Sequence, residues 1–138
     1  VLLAQRGVDA SAIAVVGSSY GGYLAALLTA VRPVKWLALR APALYKDSDW
    51  TLPKGRLRAL QELDAYRRQP VRSEESRALV ACASYRGHAL VVESEYDAFV
   101  PGQVVANYRE ALVGAASLTY RMIEGADHGL SEASAQLA

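Results

Sequence analysis

The stretch from Ala12 to Val31 carries no charged residue, yet its centre, Gly17-Ser18-Ser19-Tyr20-Gly21-Gly22, is built of small and hydroxyl-bearing residues. An uncharged run of this length meets the length requirement of a membrane span. Its periodicity argues otherwise. Ala12 to Val16 is a short continuous apolar run, whereas Leu24, Leu27, Leu28 and Val31 recur at helical spacing. A strand that turns sharply into a helix accounts for both halves, and the polar centre speaks against a membrane segment. A strand that is apolar throughout belongs to a parallel sheet covered on both faces, and such a sheet needs helical crossovers.

The rest of the chain supplies that alternation. Val1 to Arg6 reads as the tail of a helix ending at Gly7, and Arg32-Pro33 stops the helix after the glycines. A second strand is expected over about Val34 to Leu39. The segment from Ala41 to Gly55 then holds Pro42, Asp47, Ser48, Asp49 and Pro53, the composition of a loop. Leu57, Leu60, Leu63 and Tyr66 predict a helix closed by Pro70, and Ser73 reads as the N-cap of another reaching about Ser84, with Glu74 and Glu75 in its first turn. A third strand, Ala89 to Val92, leads through Glu93 to Asp97 into Pro101, a favoured first helical residue. The helix it opens places Val104, Val105, Tyr108 and Leu112 on one side and ends near Gly114. A fourth strand, Leu118 to Ile123, precedes a turn-rich loop from Glu124 to Gly129, and a last helix is expected from Ser131. The predicted fold class is α/β, one domain over residues 1–138 with a mostly parallel sheet flanked by helices. Residues 41–70 form a pocket-shaping segment or short lid.

Composition narrows the function. With 15 basic and 14 acidic residues, a net charge of +1 and no clustering of either sign, the chain has no footprint for nucleic acid or for an anionic membrane surface. Cys82 is the single cysteine, so it forms no internal disulfide and reads as a small buried hydrophobe on a helix. No cluster of ligands suggests a metal, and no cofactor is implied. A cytoplasmic location is expected. The chain opens on Val1 rather than methionine, so its natural start, with any targeting segment, is expected upstream.

Serine hydroxyl is a poor nucleophile at neutral pH, and its use requires exposure, a base to take its proton and a group to orient that base. Gly17, Ser19 and Gly21 fit the Gly-x-Ser-x-Gly elbow, in which small residues flank a strained strand-to-helix turn. In a chain with 10 glycines chance alone gives this pattern about 5% of the time, so its place between strand and helix carries the case. The turn sets the backbone N–H of Tyr20 at a helix start, where an oxyanion can be held. Asp97 and His128 lie in loops beyond predicted strands, where side chains converge on one edge of the sheet. Glu93 and Glu95 compete with Asp97. His88 competes with His128, but it precedes its strand and falls on the opposite edge.

These segments, Gly17-Ser18-Ser19-Tyr20-Gly21-Gly22-Tyr23, Asp97-Ala98-Phe99-Val100-Pro101 and Gly125-Ala126-Asp127-His128-Gly129, resemble the three catalytic segments of α/β hydrolases. The Ser-Tyr-Gly-Gly-Tyr run is most similar to prolyl-oligopeptidase-type and dienelactone-hydrolase-like members. The resemblance implies a serine hydrolase with Ser19 as nucleophile, His128 as base and Asp97 as its partner, Tyr20 N–H in the oxyanion hole, and Gly22 completing the elbow. It also implies a small-molecule or peptide substrate, an ester or an amide, with Tyr45, Trp50, Lys54 and Phe99 as candidates for lining the pocket. Packing of the loop is the other reading of Tyr45 and Trp50. One departure is Ser94, which stands where many members have glycine in a Gly-x-x-Asp-x-x-Val-Pro pattern. Another is that the family's sheet has eight strands, of which this chain presents the last four, a partial fold without the loop that supplies a second oxyanion donor. Expected consequences are weak activity in isolation and an open apolar sheet edge suited to self-association or to the missing half. The alternative function is a non-catalytic binding module or an inactive fragment.

Overall fold

The computed structural model describes residues 2–131. Val1 and residues 132–138 lie outside the described part, and with them all but the first residue of the helix expected from Ser131. Four strands, β1 (Ala14–Ser18), β2 (Trp36–Arg40), β3 (His88–Tyr96) and β4 (Ser117–Asp127), form one sheet in the order β1-β2-β3-β4, and every neighbouring pair is parallel. Between them lie α1 (Tyr20–Leu28), the short helices α2 (Lys54–Arg58) and α3 (Glu62–Arg67), α4 (Arg77–Ser84) and α5 (Gly102–Ala111). The α/β reading stands.

Strand pleat separates two faces. Leu37, Leu39, Ala89 and Val91 point toward the helices and are buried, and they join Tyr23, Ala26, Leu79, Cys82, Val104, Val105, Tyr108 and Leu112 in one core. Val104, Val105, Tyr108 and Leu112, expected on one side of their helix, are all buried in it. The expectation that the first strand is covered on both faces is corrected. β1 is an edge strand among the described residues, and Val16, pointing away from α1, is 79% exposed.

The face that α1 turns to the sheet also differs from the pattern. Its buried residues are Gly22, Tyr23, Ala25 and Ala26, while Leu24, Leu28 and, just beyond the helix, Val31 are exposed. The reason is the close approach of strand and helix. A Cβ placed on Gly17 would sit 2.8 Å from the Ala25 Cβ, so where α1 crosses Gly17 only a small side chain fits, and Tyr23 is the one large residue of the helix that is fully buried. The leucines line an outer groove with Trp50 and Val80 instead.

Three boundaries shift for local reasons. The helix expected from Leu57 to Tyr66 is two short helices, because the chain between them closes through i to i+3 bonds such as Leu63 N–H to Leu60 O at 3.1 Å. Ser73 opens a 3₁₀ turn, Ser73–Glu75, and Ser76, in extended conformation, precedes α4 in its place. The loop expected at Glu124 is strand as far as Asp127. Ser94 pairs with Ile123 and Tyr96 with Asp127, so two extra residues of β4 bulge out there, at Gly125 with φ 68°. Pro101 stands one residue before α5 and not within it.

Candidate active site

The carboxyl ends of β1, β3 and β4 deliver Ser19, Asp97 and His128 to one place. Ser19 lies between β1 and α1 with φ 53° and ψ −120°, a region that side chains rarely enter. Its backbone is fixed from several directions. The Ser19 N–H donates to Arg40 O at 3.0 Å, and the Ser19 carbonyl accepts from Gly22, Tyr23 and Ala43 N–H at 3.0, 3.2 and 2.9 Å. Two glycines make the turn sterically feasible. A Cβ on Gly17 would meet Gly21 O at 2.3 Å, and one on Gly22 would meet Pro42 at 2.9 Å. Gly21 is different, since a Cβ there would find no atom within 4 Å. The need for small residues on both sides of the serine thus holds at Gly17 and not at Gly21, and Gly22 has a steric demand of its own.

His128 Nε2 lies 3.0 Å from Ser19 Oγ, and His128 Nδ1 lies 2.7 Å from Asp97 Oδ2. The other Asp97 oxygen, Oδ1, accepts N–H bonds from Phe99 at 2.9 Å and Val100 at 2.8 Å. The Asp97 side chain is only 3% exposed and that of His128 18%. A carboxylate has only acceptor oxygens, so the contact with Asp97 suits an imidazole N–H at Nδ1 and leaves Nε2 facing the serine hydroxyl. The N–H of Tyr20, first residue of α1, has no acceptor within the helix and sits at its positive end.

The competitors are occupied elsewhere. Glu93 accepts from the Tyr120 hydroxyl at 2.7 Å, and Glu95 from Gly125 N–H at 2.8 Å. His88 pairs with Ser117 Oγ at 2.9 Å at the amino ends of β3 and β4, on the opposite edge of the sheet. Asp127, next to His128, is bound to the hydroxyl and N–H of Ser131, which hold its carboxyl below the ordinary range.

Phe99 is exposed and sets its ring edge-on to His128, with centroids 5.3 Å apart. Tyr45 and Trp50 are not beside it. They line a cavity of about 150 Å³ with Tyr20, Tyr23 and Leu57, beyond the elbow, and Ser19 and His128 are not among its lining residues. Tyr45 is buried edge-on against Tyr20 and Tyr23, so it packs the loop as well as lining that cavity, and Lys54 Nζ stands 4.9 Å over the Tyr20 ring.

Two arginines escaped the sequence reading. Arg67 is buried and donates to Leu44 O at 3.1 Å and to Phe99 O at 2.9 Å, with its guanidinium 4.9 Å over Tyr45. It ties the Asp97 loop to the segment after β2. Arg40 ends β2, where a charge closing an otherwise apolar strand was the available signal. Among the described residues no group of three or more His, Cys, Asp and Glu is placed to hold a metal, and no helix is long and apolar enough to cross a membrane.

Solved structures with the same fold include puromycin hydrolase (23% identity, 92% of this chain and 20% of that one, TM-score 0.64) and the acylaminoacyl peptidase of Pyrococcus horikoshii (19%, 93% and 21%, 0.63). An acetyl xylan esterase from Paenibacillus sp. R4 aligns at 21% identity over 96% of this chain and 46% of that one, with a TM-score of 0.62. The chain thus spans about a fifth of the first two proteins and under half of the esterase. No curated protein matches the sequence at a significant level. The prolyl oligopeptidase family model matches residues 1–138, from end to end, and with the α/β sheet in place the chain belongs to that family of hydrolases.

Proposed function

We propose that this chain carries the catalytic centre of a serine hydrolase that transfers an acyl group from an ester or amide to water. The observation that carries the reading is the hydrogen-bonded series Ser19 Oγ, His128 and Asp97, at 3.0 and 2.7 Å. His128 Nε2 takes the hydroxyl proton as Ser19 Oγ attacks the carbonyl carbon, and Asp97 steadies the imidazolium that forms. The carbonyl oxygen gains its charge near Tyr20 N–H. His128 then gives the proton to the leaving oxygen or nitrogen, an acyl-serine results, and water activated by the same histidine releases it. Peptidase and esterase relatives both support an acyl substrate, a peptide or a small molecule. The ring of Phe99 gives an apolar wall beside His128.

A fluorophosphonate probe tests this directly. Ser19 Oγ attacks phosphorus, fluoride leaves, and the serine proton passes to His128. Labelling at Ser19 is expected, abolished in Ser19→Ala and strongly slowed in His128→Ala. A folded protein that takes up no label would point instead to a binding module.

A further inference from the structure

The Arg40 side chain touches all three strands bearing the proposed triad. From the end of β2 its Nη1 donates to Ser18 Oγ at 3.2 Å, and its Nη2 donates to Ser94 Oγ at 2.8 Å and to Asp127 O at 3.1 Å. Ser18 directly precedes Ser19, Asp127 directly precedes His128, and Ser94 stands three residues before Asp97. The Arg40 carbonyl meanwhile receives the Ser19 N–H. Among the described residues no carboxylate lies within ion-pair distance of this guanidinium, and its Nε is buried without an acceptor. Such a group is costly to keep. What it gains is a rigid planar fork that spans three strand ends, which a flexible ammonium cannot reproduce.

We infer that Arg40 is a positioning residue that fixes the spacing of Ser19, Asp97 and His128 by bracing Ser18, Ser94 and Asp127 with one guanidinium. The inference rests on the catalytic reading above. It also explains the departure at Ser94, because glycine there would leave Arg40 Nη2 without its buried hydroxyl partner, and Ser94 is itself only 2% exposed. Arg40 and Ser94 thus act as a pair, and they act on the rate of the chemical step more than on substrate binding, since reacting atoms tolerate little displacement.

The test measures fluorophosphonate labelling rates and the kcat and KM for an activated ester on the purified protein. Arg40→Met is expected to slow labelling by about 10- to 100-fold and to lower kcat with KM little changed. Arg40→Lys should recover part of the rate. Ser94→Ala should slow labelling less, and should add nothing further when Arg40→Met is already present. Additive losses, or wild-type rates in Arg40→Met, overturn the inference. If Arg40→Met does not fold, Ser94→Ala decides. A lowered rate at an unchanged unfolding midpoint supports the pairing, and a wild-type rate refutes it. Absence of label on wild-type Ser19 would instead bring down the catalytic reading itself.

Discussion

Gly17→Ala and Gly21→Ala flank the same serine at equal distance in sequence and should have opposite consequences. At Gly17 the added methyl would lie 2.3 Å from Gly21 O, 2.7 Å from Gly21 C and 2.8 Å from the Ala25 Cβ. Real Cβ atoms essentially never approach below 3.0 Å, so the start of α1 must move away from β1 by at least 0.7 Å, the difference between 3.0 and 2.3. Overpacking of this kind costs about 1–3 kcal/mol. The displaced backbone also carries Ser19 and Tyr20 N–H, and a shift near 1 Å at reacting groups costs about 100-fold in rate. At Gly21 the methyl meets open space, and alanine in place of glycine within a helix stabilises by up to about 1 kcal/mol. Denaturant unfolding followed by circular dichroism, with labelling at Ser19 alongside, should rank Gly21→Ala above wild type and Gly17→Ala well below it. Equal midpoints for the two variants would refute the steric reasoning, as would a Gly17→Ala protein that labels at the wild-type rate.

Two further outcomes follow from the burial and hydrogen bonding described above. Asp97→Asn keeps the shape of the side chain but offers an amide where His128 needs an acceptor, so the turnover of an activated ester should fall by about 10⁴-fold while the unfolding midpoint moves little. Burial pushes the Cys82 thiol from 9.0 up to about 12. An aromatic disulfide reagent at pH 8 should therefore modify it only as fast as the protein opens. The unfolded chain loses this proton near 9 and the native state keeps it, so the stability Cys82 contributes is complete below pH 9 and declines from there toward pH 12. Urea titrations of the wild type and of Cys82→Ala at pH 8 and pH 10 read that decline as the difference between the two proteins.

The order of strands and helices was legible because apolar runs and helical periods are local, and the elbow was legible because its residues are consecutive. What the sequence concealed depends on contacts made across the chain. Gly17 brings Ala25 against the strand, which turns Leu24 and Leu28 outward although their spacing suggests the inner face. The bulge at Gly125 that sets Asp127 before His128 is visible only in the pairing of β4 with β3. Arg40 reaches partners 22, 54 and 87 residues away. No window of local sequence holds such information, and the same holds for Arg67, 32 residues from the Phe99 carbonyl that it anchors.

Ser19 itself is where local preference and function conflict most. Its φ of 53° with ψ of −120° is a conformation that costs a residue with a Cβ about 1–3 kcal/mol. The surrounding structure holds it there through one donated and three accepted backbone bonds, with Gly17 and Gly22 leaving room for the turn. Ser19→Ala removes the hydroxyl but keeps the Cβ, so the strain remains. Ser19→Gly removes both. Against the relief stands the larger chain entropy that glycine loses on folding, about 0.5–1 kcal/mol. The balance should leave Ser19→Gly about 0–2.5 kcal/mol more stable than Ser19→Ala, with neither variant labelled by a fluorophosphonate. Equilibrium unfolding in urea measures the difference. A Ser19→Gly protein clearly less stable than Ser19→Ala would mean that the backbone at the elbow is relaxed, and that the hydrogen bonds around Ser19 are not working against local preference.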